Sequence, residues 1–226
     1  MTPLRFPGVC AYCGQKVLRT TASKHLAKCS SRRQSIEKAE RSRQRDQKLY
    51  YVRAEATYLP EFWMDLEING DAALEDLDDY LRAIWLECCG HLSRFSSNGW
   101  ASEEIPKPSS VERVFRRGVK LTHVYDFGTE SVTTLRCLQT RAGRPLTRYP
   151  IALMVRNKPP DCRCMECGVP AKWLCVQCVV EDDIMGFLCK KHLETHPHED
   201  YGEPLSIVNS PRLGLCGYAG PAKPPY

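Results

Sequence analysis

An α+β fold, an antiparallel sheet with one principal helix, is predicted by three features of the 226-residue chain. Apolar residues alternate along several short segments, as in strands with one buried face. One longer stretch, residues 71–86, repeats apolar residues at helical spacing. Cysteines and histidines gather in close pairs at both ends, so the middle must supply the conventional apolar core.

In chain order, Cys10 and Cys13 form a C-x2-C pair followed by Gly14, where a tight turn brings backbone amides towards the sulfurs. His25 and Cys29 are four residues apart, which on a helix places both on one face. Thr20, Thr21 and Ser23 offer N-caps for that helix, and Val17, Leu18 and Leu26 a small apolar seam. Cys10, Cys13, His25 and Cys29 therefore read as a tetrahedral zinc site, and C-x2-C-x11-H-x3-C resembles the CCHC-type relatives of ββα zinc fingers. Residues 31–48 are helix-compatible but almost without an apolar face, which predicts a solvent-bridging helix or a linker.

The central segment, residues 49–158, opens with alternation at Tyr50, Val52, Ala54 and Ala56, and residues 61–68 give a second strand. Leu74, Leu77, Leu81, Ile84 and Trp85 form the apolar face of the principal helix, whose opening acids suit its positive end. Glu75, Asp76, Asp78 and Asp79 are read as a solvated face of that helix. Residues 119–125 and 131–138 predict a hairpin through Asp126-Phe127-Gly128-Thr129, with Gly128 supplying a positive φ. The Asp-Phe-Gly triplet has no glycine-rich phosphate loop or kinase catalytic loop beside it, so a hairpin is the expectation. Residues 149–156 add a strand. Cys88-Cys89-Gly90-His91 reads as a helix end with Gly90 as terminator, and His123 as a packed residue on a strand.

The stretch LEDLDDYLRAIWLECCGHLSRF, the later VYDFGTES and the strand order resemble the Ri-plasmid open-reading-frame-three-like family, also described as transposon-passenger proteins. The resemblance covers about residues 49–158. It implies a compact α+β domain of β-hairpins and a helix, and little about mechanism.

After Pro159-Pro160, residues 159–201 carry C-x2-C-x7-C-x2-C-x10-C-x2-H-x3-H-x-H. Four pairs of ligands supply two closed tetrahedral zinc sites. The spacing resembles B-box and related cross-brace zinc domains, in which alternate pairs share a metal. The resemblance implies one site from Cys164, Cys167, Cys189 and His192 and another from Cys175, Cys178, His196 and His198. Sequential pairing is the competing arrangement, and Cys162 is an alternative ligand. Residues 202–226 are read as a tail that docks on the body and frays at its end, the stretch VNSPRLGLCGY resembling a family-associated ending.

The three ligand sets predict three zinc ions and small zinc-binding modules flanking the sheet, with residues 1–30 forming the finger. Each set is closed, which favours structural over catalytic metal and a non-enzymatic protein. Thirteen cysteines beside histidines favour zinc over disulfides, hence a reducing compartment. The first seven residues lack an apolar core of signal-peptide length, and no stretch approaches a membrane span; a soluble cytoplasmic protein is expected.

Net charge is +5, but residues 1–50 hold 12 Lys/Arg against 3 Asp/Glu. Arg32, Arg33, Arg41, Arg43, Arg45 and Lys48 are the candidate phosphate contacts, and DNA or RNA the candidate ligand of this region. A protein partner is expected for the C-terminal module, since B-box-like modules mainly mediate protein contacts. The rivals are an adaptor that binds only protein, and a thiol-dependent enzyme centred on Cys88, Cys89 and His91.

Overall fold

The computed structural model describes residues 6–86, 90–197, 201–215 and 218–220. Its centre is an eight-stranded sheet, antiparallel at every pairing. The strands are β1 (Pro7–Cys10), β2 (Lys16–Leu18), β3 (Gln47–Ala56), β4 (Trp63–Asn69), β5 (Ser93–Ser96), β6 (Lys120–Tyr125), β7 (Ser131–Gly143) and β8 (Ile151–Asn157). Their spatial order is β2-β1-β8-β4-β3-β7-β6-β5. The chain is thus α+β, and the N-terminal hairpin β1–β2 continues the sheet instead of standing apart as a separate finger.

Period-two alternation divides β3 and β4 between two faces. Tyr50, Val52, Ala54, Met64, Leu66 and Ile68 belong to the main core, whereas Tyr51 and Trp63 belong to a second core shared with Val17, Leu26, Met154 and Val155. Two register shifts serve the second face. Val52 pairs with Cys137 and Tyr51 with Gln139, which leaves Leu138 as an extra residue; Leu66 and Asp65 likewise pair around Met154. Both extra residues pack into the second core.

Helices α1 (Ala22–Lys28) and α2 (Ser30–Ala39) cover the second face. Polar groups as well as apolar ones hold them there. Ser23 Oγ is 3.0 Å from Tyr51 Oη, which donates to the buried Asp65, itself held by a two-pronged contact from Arg53 at 2.7 and 3.0 Å. Glu67, also buried, accepts from Arg141 at 2.9 and 2.6 Å and from Arg32 of α2 at 3.2 Å. Residues 30–39 are therefore a docked helix, not a solvent-bridging one.

The main face carries the principal helix, α3 (Leu74–Leu81), which continues as a π-helical turn over Arg82–Leu86. Ile84, Trp85 and Leu86 are all buried. Three successive buried side chains span more than one side of an α-helix, and the wider turn accommodates them. Helix α4 (Val111–Val114) adds Val111 to the same core.

Two local expectations need correction. The positive φ of the β6–β7 connection lies at Asp126 (63°), not at Gly128, because Asp126 Oδ1 accepts from the amides of Gly128 and Thr129, both at 3.1 Å. The acidic run of α3 is not one solvated face. Glu75 and Asp79 are exposed and Asp76 accepts from the Ala73 amide, but Asp78 is buried.

Residues 173–206 add a small sheet of β9 (Trp173–Cys175), β10 (Gly186–Leu188) and β11 (Leu205–Ser206), in the order β10-β9-β11. Helices α5 (Val176–Val180) and α6 (Lys190–Leu193) follow β9 and β10 respectively. Leu174 and Leu213 enter the main core. Buried Arg212 pairs with Asp126 at 3.0 Å, and Ser210 Oγ donates to the Trp85 carbonyl at 2.6 Å, so residues 207–215 lie against the body. No helix among the described residues is long and apolar enough to cross a membrane.

Candidate metal centres

Among the described residues, three Cys/His groups bring their ligand atoms within 4.8 Å of one another and could hold metal ions: Cys10, Cys13, His25 and Cys29; Cys164, Cys167, Cys189 and His192; and Cys175, Cys178 and His196. Cys10 ends β1, and the Gly14 amide returns to its carbonyl at 2.9 Å with Gly14 at φ 69°. Gly168 repeats this turn after Cys167, its amide 2.8 Å from the Cys164 carbonyl and its φ 71°. A left-handed residue directly after the second cysteine is what closes each knuckle.

The helix expected to carry both His25 and Cys29 stops at Lys28. Cys29 is extended, with φ −66° and ψ 113°, and separates α1 from α2. Its sulfur is placed by that break, not by helical periodicity. Thr21 occupies the N-cap position but spends its hydroxyl on the Leu18 carbonyl at 3.2 Å, so it makes no side-chain cap.

In the C-terminal part the groups alternate along the chain. The first ligand pair meets Cys189 at the start of α6 and His192 within it; the second, at the β9–α5 junction, meets His196. His198 lies outside the described residues, as do Cys88 and Cys89. Cys162 is buried and belongs to none of the three groups. His91 also joins none; its Nε2 is 3.6 Å from Asp126 Oδ2.

The spacings fit a tetrahedral ion. Zinc held by sulfur at 2.3 Å and nitrogen at 2.0–2.1 Å gives tetrahedron edges of about 3.8 Å between sulfurs and about 3.5 Å between sulfur and nitrogen. Cys167 and Cys189 sulfurs are 3.8 Å apart. His192 Nδ1 is 3.4 Å from Cys164 Sγ and 3.5 Å from Cys189 Sγ. Cys13 Sγ is 3.5 Å from His25 Nε2, and Cys178 Sγ 3.3 Å from His196 Nε2.

Electrostatics separate the thiols. Burial opposes ionisation of Cys164, but the amides of Cys189, Glu166 and Cys167 outweigh it and bring the thiol down to about 6. The Gln15 amide, foremost, lowers Cys13. Burial raises Cys10 to about 11 and Cys178 to about 12, with Cys175 and Asp182 adding to the latter. The last two thiols are those that most need a cation to hold them as thiolates.

Sequence reasoning missed Gly186. A Cβ there would stand 2.6 Å from Cys178 Cβ and 3.0 Å from Cys175 Cβ, so glycine lets β10 pass against the second ligand pair. It also missed the partners of Asp78. Asp78 Oδ1 accepts from Ser93 Oγ and is 2.7 Å from His123 Nε2, and Oδ2 accepts from Arg82 and Lys107 at 3.0 and 2.8 Å. Arg82 stands at the i,i+4 spacing of a helical ion pair, but no spacing rule links Asp78 to Ser93, Lys107 and His123.

Among the basic candidates, Arg32 is committed to Glu67, whereas Arg33, Arg41, Arg43, Arg45 and Lys48 are exposed. Lys48 lies 5.3 Å over the Tyr50 ring. Arg41 also lines an open cleft with Ser35, Lys38, Ser42, Gln44, Pro145 and Leu146.

No family model matches the chain, and no curated protein matches it. The resemblance to the plasmid family is thus without support from these comparisons. Among solved structures, a protein of unknown function from Methanosarcina mazei Go1 is similar at 16% identity and a TM-score of 0.39. That similarity covers 46% of this chain and 66% of the other. A likeness at that level says nothing about function.

Proposed function

We propose that the chain is a non-enzymatic, cytoplasmic zinc protein that contacts nucleic acid through its N-terminal region and a protein through its C-terminal module. The observation that carries this reading is the closure of two of the ligand groups, Cys10, Cys13, His25 and Cys29 and Cys164, Cys167, Cys189 and His192. Three sulfurs and one nitrogen at tetrahedral spacing leave no position for water or substrate, which suits a structural ion. Thiolate with imidazole favours zinc over magnesium or calcium. His198 is the proposed fourth ligand of the Cys175, Cys178 and His196 group. Elemental analysis of carefully prepared protein should return three zinc ions per chain, and one or none would reject the reading.

The nucleic-acid contact rests on Arg33, Arg41, Arg43, Arg45 and Lys48, which remain exposed around α2 while Arg32 is withdrawn. Such a contact acts mainly on phosphates and weakens steeply with salt. Truncation is a poor test, because β1 is paired on both sides and its loss would open the sheet. Arg41, Arg43 and Arg45 are exposed, so replacing them by alanine should leave the fold in place. Binding of an RNA or DNA oligonucleotide should fall, with a shallower salt slope. Unchanged affinity would favour the adaptor reading. The adaptor has its own observation, since Met165, Val169, Val180, Ile184 and Met185 are all exposed on the C-terminal module. The plasmid-family relationship of residues 49–158 is likewise a proposal, carried by sequence resemblance alone.

A further inference from the structure

Glu166 stands inside the knuckle between Cys164 and Cys167, and its two oxygens face histidines of different metal groups. Oε1 is 3.2 Å from His196 Nδ1, and Oε2 is 3.7 Å from His192 Nε2. The opposite ring nitrogens face sulfur: His196 Nε2 is 3.3 Å from Cys178 Sγ, and His192 Nδ1 is 3.4 Å from Cys164 Sγ. The two imidazoles therefore present different nitrogens to their metal groups, and each turns the remaining one to the same carboxylate. A ligating imidazole keeps its proton on the nitrogen away from the metal, where a carboxylate acceptor fixes tautomer and ring orientation.

We infer that Glu166 is a shared positioning residue for both C-terminal metal groups, and that through it the occupancy of one group favours the occupancy of the other. This rests on the zinc reading above. The physical route is short. Closing the Cys164–Cys167 knuckle places Glu166, and Glu166 holds the His196 ring in the orientation that aims Nε2 at Cys178. Thermodynamic linkage then requires the reverse influence to be equally strong. The His196 contact is within hydrogen-bond range while the His192 contact is longer, so the His196 group depends on Glu166 more. The N-terminal group has no part in this arrangement, which makes it an internal reference.

The test uses the full chain loaded with cadmium-113, whose resonances report each group separately, under titration with a chelator. In the wild-type chain the two C-terminal ions should leave together and the N-terminal one independently. Glu166→Ala should weaken the His196 group by about 10–100-fold, the range found for outer-shell partners of ligating histidines, and separate the two C-terminal release steps. Glu166→Gln keeps the side-chain volume but offers one oxygen to two N–H groups, so its effect should be intermediate. The glutamine variant also serves if the alanine variant does not fold. C-terminal affinities within twofold of wild type in Glu166→Gln and, where folded, Glu166→Ala, with the ions still leaving together, would overturn the inference and leave the zinc reading intact. A wild-type chain that takes up a single ion at these groups would overturn the inference, and one that takes up none there would overturn both.

Discussion

Asp78 concentrates the polar energetics of the main core in one carboxylate. Burial works against its ionisation, but His123, Lys107 and Ser93 outweigh that and hold the carboxyl well below the usual carboxylate range. Being ionised it only accepts, so His123 Nε2 carries the proton, and Nδ1 has no hydrogen-bond partner. Complete burial lowers the His123 imidazole despite the nearby carboxylate, so the ring is neutral. The unfolded histidine titrates near 6.5, above the folded one, so below about that pH the unfolded chain binds more protons and stability falls with pH. Asp78 acts lower down: its stabilisation is present above the unfolded carboxylate value of about 3.9 and is lost as pH falls through the folded one. Urea titrations of metal-loaded protein from pH 7 to pH 5 should therefore show a smaller loss in His123→Gln than in wild type. Parallel curves would contradict the assignment of a neutral ring. Asp78→Ala removes the one carboxylate that Arg82, Lys107 and His123 share and should cost about 3–5 kcal/mol by the same measurement. At Gly186 the added methyl of alanine would press on both Cys178 and Cys175, and should lower metal affinity at that group while leaving the N-terminal group unchanged. Equal affinities at Gly186→Ala and wild type would mean that β10 can move aside.

At the scale of elements, the N-terminal hairpin and α1 share one small core with the back of the sheet, through Val17, Leu26, Tyr51, Trp63 and Met154. The hairpin does not fold against itself alone, and an ion held by Cys10, Cys13, His25 and Cys29 would stabilise an edge of the larger sheet. Cys13 is exposed, so Cys13→Ser removes a ligand without cutting that core. Hydrogen exchange should then quicken in β1, β2, α1 and the adjoining β8, while β5 and β6 at the far edge keep their protection. Uniform quickening across the sheet would show that the hairpin is not a separable unit. The break at Cys29 has a related role, because it turns α2 so that Arg32 reaches Glu67. Three of the exposed basic side chains, Arg41, Arg43 and Arg45, follow α2, between that anchor and β3.

At the scale of the molecule, the C-terminal module is tied to the body by Leu174, Leu213, Arg212 and Ser210 as well as by its own ligands. Stripping metal should disorder the module first, since β9, β10 and β11 offer only short strands and a core of Cys175, Cys178 and Leu188. The eight-stranded sheet has its own core of Trp85, Phe95, Phe115 and many aliphatic residues and should persist. Thermal melting in the presence of a chelator should thus show an early loss of near-ultraviolet signal from Trp173, followed by a separate transition of the sheet. A single transition at one temperature would contradict this order.

The sequence by itself determined the local grammar: the alternation at Tyr50, Val52, Ala54 and Ala56, the apolar face from Leu74 to Trp85, and the cysteine pairs, with Gly14 closing the first knuckle. These signals survive because they depend on period and on short-range backbone geometry. It also supplied the chemistry of the ligand groups, since thiolates and imidazoles at such spacing suit few other purposes. Only the tertiary structure decided that β1–β2 joins the main sheet, because strand pairing between Gly8 and Asn157 leaves no mark in either segment. Asp78 looked like one of four solvated acids and proved to be buried, since helical spacing tells which residues share a face but not which distant cations meet them. Arg32 likewise reads as one arginine among several until Glu67 is placed beside it. Glu166, finally, is an ordinary acid between two cysteines until the fold brings two histidines from beyond residue 190 to its opposite oxygens.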